Sequence, residues 1–229
     1  MSRHYGPKIV TDGLVLYLDA GNVKSYPRTG TVWTDLSGNS NHGELTNGPT
    51  FSSTNGGSMV FDGSDDYVDC GVGIGSLDQI SNIFTITSFI KTPSPTSRLT
   101  IFSMNYNSGV EFGTSANTPG GLEVYSPGVY FSYTIENLLQ PNIWYQVTYT
   151  RSGIGSGTHK FYINASLCTL SLDTANNFST SSSIKYIGTR SPNNVMFIGN
   201  IALTQIYNRA LTQAEILQNY NATKGRFGL

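Results

Sequence analysis

Hydrolysis of a glycosidic bond uses two carboxyl groups, one as acid and one as nucleophile. The positions of the acidic residues therefore indicate whether the chain could catalyse that reaction. Carboxylates that alternate along one strand would all point into one cleft. The five glutamates are instead scattered, and none has an acidic residue two positions away: Glu44, Glu111, Glu123, Glu136 and Glu215. Glu111 and Glu123 could approach each other across neighbouring strands, but we expect both to be solvent-facing strand positions. We therefore predict no catalytic residues.

Other catalytic patterns are no better supported. The chain has no Gly-x-Ser-x-Gly elbow, and we expect its three histidines to lie in a tail or in loops: His4, His42 and His159. The glycine runs that begin at Gly71 and Gly153 lack the spacing and the following lysine of a phosphate-binding loop. These runs are more typical of connections between strands.

The stretch DGSDDYVD brings four carboxylates close together in the chain: Asp62, Asp65, Asp66 and Asp69. Calcium takes about six to eight oxygen ligands, which carboxylates and turn carbonyls can supply. The segment is thus a candidate Ca²⁺ site, with Asp19 or Asp35 as extra ligands. Aspartates before glycine or at a strand start are also ordinary turn-formers that bond their own backbone. The sequence leaves both interpretations open.

Aromatic residues cluster in the middle of the chain, at Tyr106, Tyr125, Tyr130, Phe131 and Tyr133. Exposed tyrosine rings stack on sugar rings in carbohydrate-binding proteins, and they also fill subunit interfaces. Alternate members of each strand could equally belong to the core. Four of them are our glycan-binding candidates: Tyr106, Tyr125, Tyr130 and Tyr133.

Composition restricts the partners. The net charge is −1, charged residues make up 12% against roughly 25% in ordinary domains, and lysine and arginine form no run. We therefore expect neither nucleic acid nor an anionic membrane as a partner. The start, MSRHYGPKIV, lacks the apolar core of a signal peptide, and no apolar run is long enough to span a bilayer. Secretion by the general route is not expected.

The two cysteines, Cys70 and Cys168, are far apart in the chain and show no metal-ligand spacing. A disulfide between them stays open from sequence. Unpaired, hydrophobic cysteines in sheets are the commoner case.

About a dozen short, turn-bounded segments carry strand signals, which is typical of a β-sandwich. They are Leu14–Asp19, Ser58–Phe61, Tyr67–Cys70, Phe84–Lys91, Leu99–Ser103, Val110–Gly113, Leu122–Tyr125, Val129–Tyr133, Trp144–Thr150, Lys160–Asn164, Ile184–Gly188 and Phe197–Tyr207. Ser58–Phe61 and Tyr67–Cys70 should pair across the acidic turn. Trp144–Thr150 and Lys160–Asn164 should pair with each other. We predict a tail over residues 1–11 and one domain over residues 12–229.

One short helix is predicted near the end of the chain. Thr212 and Glu215 have the spacing of a capping box, and Gly225 is placed to end the helix in a left-handed conformation. Three residues should face the sheet: Ile216, Leu217 and Tyr220.

Five stretches, in order, resemble the successive motifs of concanavalin A-like, laminin-G-type jelly rolls, most closely those of phage and bacterial surface proteins. They are LVLYLDAGN, WTDLSGNSNHGEL, SMVFDGSDDYVDCG, WYQVTYT with KFYIN, and FIGNIALTQIYNRALTQAEILQNYNA. The resemblance covers residues 9–229 and implies an all-β sandwich of two antiparallel sheets with one short C-terminal helix. Such domains usually carry Asn-Gly after the KFYIN strand. This chain has Asn164 and Ala165 there, and alanine tolerates a positive φ poorly, so the sequence leaves the tight two-residue turn open.

The resemblance leaves function open, because this fold carries lectins, glycosidases, adhesins and virion parts. We expect a non-enzymatic structural or adhesive protein at the virion surface, as a capsid decoration or a tail or fibre-associated subunit. Its partners would be other virion proteins or further copies of itself. The alternative is a calcium-assisted lectin module for host surface polysaccharide, and a glycosidase is a minor alternative.

Overall fold

The computed structural model describes residues 7–72, 83–104, 110–126, 129–175, 184–192 and 194–229, with side chains except at 126 and 129–131. Within this part of the chain, seventeen strands form two antiparallel sheets. In chain order the strands are β1 Leu14–Asp19, β2 Val32–Trp33, β3 Gly43–Thr46, β4 Thr50–Ser52, β5 Ser58–Asp62, β6 Tyr67–Asp69, β7 Ile83–Lys91, β8 Leu99–Met104, β9 Glu111–Thr114, β10 Leu122–Ser126, β11 Val129–Thr134, β12 Tyr145–Ser152, β13 His159–Ile163, β14 Ser166–Leu167, β15 Leu170–Asp173, β16 Lys185–Ile187 and β17 Ile198–Tyr207.

The two sheets differ in size and strand order. The eight-stranded sheet runs β14-β13-β12-β7-β17-β5-β4, and β1 also pairs with β17. The nine-stranded sheet runs β15-β11-β10-β9-β8-β16-β6-β3-β2. The predicted pairing of the strands that begin near Trp144 and Lys160 is confirmed, since β12 pairs with β13. The two-sheet sandwich predicted from sequence is the observed architecture.

The core lies between the sheets and is built from the alternating strand positions that face inward. Phe84 and Ile86 of β7 are 2% and 0% exposed, and Phe112 and Val124 of the nine-stranded sheet are fully buried. Phe84 and Phe112 both pack against Tyr149, with ring centroids 5.7 and 5.9 Å apart. Because side chains alternate along a strand, the remaining positions face outward from the sandwich.

Helix α1, Gln213–Thr223, covers the outer face of the eight-stranded sheet. The predicted capping box is confirmed: Thr212 accepts from the backbone N–H of Glu215, and the Glu215 side chain accepts from the backbone N–H of Thr212. Ile216 is buried as predicted, but Leu217 is 46% exposed, so its predicted burial is wrong. Asn219, one turn below Ile216, is buried instead.

The end of the helix also differs from the prediction. Gly225 lies inside a 3-10 turn, Lys224–Phe227, and Gly228 with φ 73° takes the left-handed conformation. This extra turn carries Phe227 onto the sheet, where its ring lies 4.4 Å from that of Phe89 and 4.7 Å from that of Trp144. Burial of Phe227 therefore decides where the chain leaves the helix.

The predicted strands on either side of the acidic turn exist but do not pair with each other. Strand β5 belongs to the eight-stranded sheet and β6 to the nine-stranded sheet. Phe61 and Val68 enter the same core from opposite sides, at 1% and 0% exposure. The acidic turn therefore carries the chain from one sheet to the other.

The tight two-residue turn that the sequence left open at Asn164 and Ala165 is present. Ile163 pairs with Ser166 directly, and the two turn residues have φ of 51° and 64°. Left-handed alanine costs about 1–2 kcal/mol. Ala165 is 6% exposed and packs in the cluster beneath helix α1, so burial of its methyl group offsets part of this cost.

The start of the described chain is docked on the helix. The Val10 N–H donates to Asn219 Oδ1 over 2.8 Å, and Tyr207 donates its hydroxyl to the Val10 carbonyl over 3.0 Å. The folded part of the chain thus begins before residue 12.

Both cysteines are free: Cys70 is buried in the core and Cys168 is half-buried. Among the described residues, no helix has the length and apolar character needed to cross a membrane.

Candidate functional site

The outer face of the nine-stranded sheet carries one continuous row of paired residues. Directly paired residues of antiparallel strands place their side chains on the same face. The row crosses six consecutive strands in the order Glu44, Asp69, Tyr186, Ser103, Glu111 and Tyr125. The neighbouring positions Val68, Ile187, Phe102, Phe112 and Val124 are all fully buried in the core. The row must therefore face away from the core.

Glu111 sits in this row and is held by two partners. Its Oε2 lies 2.5 Å from Arg190 Nε, and its Oε1 accepts a hydrogen bond from the Thr100 hydroxyl over 2.6 Å. Its exposed fraction is only 4%. A buried carboxylate needs such compensation, since an unpaired one would be strongly destabilising.

Glu123 lies on the adjacent strand and has the same kind of partner. Its Oε1 lies 2.5 Å from Arg98 Nε, and it is 2% exposed. Burial raises the pKa of the Glu123 carboxyl, while Arg98 and the Ser115 hydroxyl oppose that shift. The expectation that Glu111 and Glu123 are solvent-facing strand positions is therefore wrong, because arginines from flanking loops cover both carboxylates.

Tyr125 joins the two ion pairs. The guanidinium carbon of Arg98 lies 4.3 Å from the centre of its ring, and that of Arg190 lies 5.0 Å away. Both distances are within the range of cation–π attraction. The half-buried ring and the carboxylates together fix both guanidiniums in place. We call these five residues the arginine–tyrosine cluster: Arg98, Glu111, Glu123, Tyr125 and Arg190.

Gly113 makes the close packing of this region possible. It pairs with Glu123 on one side and Thr100 on the other. A Cβ at this position would lie 2.0 Å from the Leu99 carbonyl oxygen. The register of β8 and β9 shifts beside it, between Thr100 and Phe102. Glycine is therefore required for the strand approach that brings Thr100 under Glu111.

A second group lies three strands away on the same face. The rings of Tyr67 and Tyr186 meet edge to face, with centroids 5.6 Å apart and planes at 84°. Asp69 pairs directly with Tyr186, and its Oδ1 accepts from the Gly71 N–H over 2.7 Å. All three side chains are half-buried. We call Tyr67, Asp69 and Tyr186 the tyrosine pair site.

The four predicted glycan-binding tyrosines divide by location. Tyr125 is in the row, and Tyr133 pairs with Glu123, so both lie on the outer face and are half-buried. Tyr130 is described only in its backbone, and Tyr106 lies outside the described residues. Their role in glycan binding stays a prediction.

Sequence reasoning missed Tyr67 and Tyr186 as well as Arg98 and Arg190. The available signal for Tyr67 was its place two residues before Asp69 in a short strand. The arginines follow turn sequences on loops that are far apart in the chain, so no local pattern joins them to Glu111 or Glu123.

The acidic turn between β5 and β6 partly matches the calcium prediction. Carboxylate oxygens of Asp62, Asp65 and Asp66 lie within 4.8 Å of one another. However, Asp62 Oδ1 accepts from the Ser64 N–H over 2.7 Å, and this bond lowers the pKa of Asp62. Asp66 Oδ2 accepts from the Asp62 N–H over 3.0 Å, while burial raises the pKa of Asp66. The three carboxylates are close enough to share a cation, and two of them also hold the turn together, so the calcium site stays a prediction.

The other aspartates proposed as ligands are engaged elsewhere. Asp69 lies outside the three-carboxylate group, on the outer face of the sheet. Asp19 Oδ1 lies 2.7 Å from Arg226 Nη1. Asp35 accepts four hydrogen bonds that hold the loop between β2 and β3 together and tie it to β1. Neither Asp19 nor Asp35 belongs to the three-carboxylate group of the acidic turn.

His159 is not in a loop, as the sequence suggested, but on β13 with 1% exposure. Its Nδ1 lies 2.8 Å from the Tyr149 hydroxyl. Burial, together with the charge of the nearby Arg151, lowers the pKa of His159 to about 4. The imidazole is a neutral interior group at the sandwich edge, remote in sequence from the arginine–tyrosine cluster.

Comparison with known proteins places this geometry in context. A sequence model of the concanavalin A-like lectin/glucanases superfamily matches residues 62–217. The sequence matches no curated protein.

Solved structures with the same fold have different roles. One is a Trypanosoma rangeli sialidase mutant with trans-sialidase activity, at TM-score 0.68 and 15% identity, covering 96% of this chain and 34% of that one. Another is domain 4 of a Geobacillus stearothermophilus GH43 arabinanase in complex with arabinotriose, at TM-score 0.65 and 15% identity, covering 90% and 98%. A third is the binding domain of Paraclostridial Mosquitocidal Protein 1, at TM-score 0.68 and 18% identity, covering 93% and 52%.

These likenesses show the fold alone, because the identities are low. The chain spans about a third of the sialidase chain and about half of the mosquitocidal binding-domain chain.

Proposed function

Because this chain belongs to the concanavalin A-like lectin/glucanases superfamily, we propose that it is a non-enzymatic glycan-binding protein. Its binding surface is the outer face of the nine-stranded sheet. The observation that carries this proposal is the arginine–tyrosine cluster, in which a half-buried Tyr125 ring lies beside two arginine–carboxylate pairs.

The cluster has the groups that a sugar needs. The apolar side of a sugar ring can pack against the surface that the half-buried Tyr125 ring and the two guanidiniums over it form together. The hydroxyls around that ring accept from guanidinium N–H groups and donate to carboxylates, which gives charge-assisted hydrogen bonds. Arg98 and Arg190 are fixed before a ligand arrives, so binding orders few side chains.

The burial of the two glutamates supports binding over hydrolysis. A glycosidase needs one carboxyl that protonates the leaving oxygen and another that reaches the sugar carbon or a water. Glu111 and Glu123 are 4% and 2% exposed, and each lies 2.5 Å from an arginine nitrogen. Hydrolysis of a polysaccharide that disappears in both Glu111→Gln and Glu123→Gln would contradict the non-enzymatic role.

The biological setting that we propose is adhesion at the surface of a phage particle. The support is the ordered resemblance of the sequence motifs to phage and bacterial surface jelly rolls. Mass spectrometry of purified particles should find the chain at a fixed copy number. If the chain is absent from purified particles, the proposed role in a phage particle is contradicted, while the proposal of glycan binding is unaffected.

Binding itself is tested with a glycan array followed by calorimetry on the strongest ligand, including arabinotriose as one probe. We expect saturable binding by the wild type, and at least a tenfold loss in Tyr125→Ala, because the stacking platform is removed. Leu217→Ala, on exposed helix surface away from this face, is the control and should bind as the wild type does. No binding to any bacterial or host polysaccharide would contradict the proposal.

The same assay with EDTA tests the calcium-assisted alternative. If the acidic turn holds calcium, binding should fall with chelator and return with added Ca²⁺, and Asp65→Asn should bind weakly at every calcium concentration. Chelator-insensitive binding would leave Asp62, Asp65 and Asp66 as turn-formers.

A further inference from the structure

We infer that the protein has a second binding site, for the phosphate monoester of a small polyol, in a cavity beside the start of helix α1. The cavity lies on the outer face of the eight-stranded sheet, between strands β12 and β13 and the residues that lead into the helix. The arginine–tyrosine cluster belongs to the other sheet. This inference therefore does not depend on glycan binding at that cluster.

The cavity has a floor of strand residues and a wall formed by the start of the helix. Its lining includes Thr150 and Lys160, which pair directly across β12 and β13, and Tyr162. Tyr149 and Phe161, which alternate with them along the same strands, are fully buried in the core. Since side chains alternate along a strand, the three lining residues face away from the core.

The size of the cavity limits the ligand that it can hold. Its volume of about 280 Å³ equals the share of roughly nine molecules of liquid water. This volume lies just below the range of about 300–1,000 Å³ that is typical of pockets for drug-sized ligands. A ligand that fills the cavity is therefore small, such as a phosphate group on a short polyol.

Two buried hydroxyls in the floor lack hydrogen-bond partners among the described residues. Thr150 and Tyr162 are each 3% exposed, and both line the cavity. In contrast, the neighbouring Thr87 and Thr148 share a hydrogen bond 2.7 Å long. Because buried hydroxyls are normally bonded, the two free ones are placed to bond a molecule in the cavity. The hydroxyls of a polyol both donate and accept, so they match this floor.

The charges around the cavity favour an anion. Lys160 is exposed and makes no ion pair with any described residue. Gln213 also lines the cavity, and as the first helical residue it has a backbone N–H without an acceptor in the helix. Glu215 in the same turn is neutralised by Arg209 through hydrogen bonds of 3.0 and 2.6 Å. A lysine ammonium beside the start of a helix suits a phosphate group.

The wall of the cavity is fixed before a ligand arrives. The Thr85 hydroxyl donates to the Arg209 carbonyl over 2.9 Å and accepts from the Leu211 N–H over 2.9 Å. Thr212 is held in place by the capping box. Binding would therefore order mainly the Lys160 side chain, which keeps the entropic cost of binding low.

The experiment is calorimetry on the full chain in a buffer without phosphate, with glycerol 3-phosphate, inorganic phosphate and glycerol as separate probes. We expect saturable binding of glycerol 3-phosphate with a Kd of about 1 mM or lower, and binding of either part alone that is weaker by about tenfold or more. Lys160→Met should weaken glycerol 3-phosphate about tenfold, because the phosphate loses its cation. The matched control is Lys24→Met, which removes an exposed lysine between β1 and β2 and should bind as the wild type does.

The double variant Thr150→Val with Tyr162→Phe tests the two hydroxyls while side-chain shape stays nearly the same. It should weaken glycerol 3-phosphate about threefold to tenfold and leave inorganic phosphate unchanged. Thermal unfolding checks that each variant is folded. If the buried double variant unfolds, Lys160→Met still tests the site, because its side chain is exposed.

The outcomes separate this site from the glycan site. No saturable binding of glycerol 3-phosphate, or equal weakening in Lys160→Met and Lys24→Met, would overturn the inference. Inorganic phosphate that binds as tightly as glycerol 3-phosphate would overturn the polyol part of the ligand. Binding that is lost in Tyr125→Ala would place the phosphate at the arginine–tyrosine cluster and overturn its assignment to the cavity. Oligosaccharide binding in Lys160→Met should equal that of the wild type, so a failure here leaves the proposed function intact.

Discussion

The two outer faces of the sandwich are shielded from solvent in different ways. The eight-stranded sheet covers its outer face with helix α1 and with Phe227, whose ring stacks on Phe89. The nine-stranded sheet buries charged side chains on its outer face by pairing them, as with Glu123 and Arg98. The first face is sealed by apolar packing, and the second by ion pairs around an aromatic ring.

This difference shows which face can serve recognition. Apolar burial is non-directional and stabilises the fold in proportion to area. Buried ion pairs contribute little net stability because desolvation offsets their attraction, but they hold donors and acceptors in fixed directions. The eight-stranded side therefore supports folding wherever the helix and Phe227 cover it, and the nine-stranded side has the preset polar groups that a glycan requires.

The largest effect on stability is expected for Phe227→Ala, which removes a ring that covers the eight-stranded sheet. Loss of a buried aromatic ring that contacts Phe89 and Trp144 should lower the free energy of unfolding by about 3–5 kcal/mol. Leu217→Ala, with an exposed side chain on the same helix, should stay within about 0.5 kcal/mol of the wild type. Urea unfolding measures both. Equal losses in the two variants would show that the helix does not seal this face through Phe227.

The second test is Arg98→Met on the opposite face, which keeps the length of the side chain and removes its charge. Glu123 would be left buried without its cation, so we expect a loss of about 2–4 kcal/mol at neutral pH. The double variant Arg98→Met with Glu123→Met should recover most of that loss. A double variant as unstable as the single one would mean that the pair itself stabilises the fold.

The third and smallest expected effect concerns how stability depends on pH. It compares Glu215, on the helix side, with Glu123, on the outer face of the nine-stranded sheet. Hydrogen bonds from Arg209 lower the pKa of Glu215, the capping residue of the helix, to about 2. Its contribution to stability is present above pH 4.5 and is lost as the pH falls toward 2. Burial raises the pKa of Glu123, so its contribution is present below pH 4.5 and is lost as the pH rises through the folded pKa.

Unfolding free energies of Glu215→Gln and Glu123→Gln, measured between about pH 2 and pH 7, test this sign difference. The deficit of Glu215→Gln relative to the wild type should grow with pH to about 1 kcal/mol, a figure that allows for its partial exposure. The deficit of Glu123→Gln should instead shrink as the pH rises above 4.5. Parallel slopes would mean that the two carboxylates have similar surroundings.

The sequence predicted the parts of the fold that depend on neighbours in the chain. The capping box of Thr212 and Glu215 and the strand predicted at Phe84–Lys91 follow from local sequence, and both are present. The prediction for Leu217 failed because the buried face of the helix follows Ile216, Asn219 and Thr223, and Asn219 is held there by hydrogen bonds to Val10 and Tyr207. That choice depends on tertiary packing.

The candidate site was only partly accessible to sequence reasoning. Tyr125 and Tyr133 were chosen by composition, and both lie on the outer face. The burial of Glu111 depends on Arg190, 79 residues away, and that of Glu123 on Arg98, on a different loop. Tyr67 and Tyr186 meet only because β6 and β16 are neighbours in the sheet. Contacts of this kind are set by strand order, which residue spacing does not show.

The docking of Val10 and Arg226, near the two ends of the described chain, on the helix side bears on how the protein presents itself when it is attached to something else. Val10 is tied to Asn219 of the helix, and Arg226 is tied to Asp19 at the end of β1. A bead, a sensor surface or a fused protein joined after Arg226 would sit on the side of the eight-stranded sheet. The row from Glu44 to Tyr125 would then point outward into solution, so tethered copies should keep full access to large polysaccharides and gain avidity as their density rises.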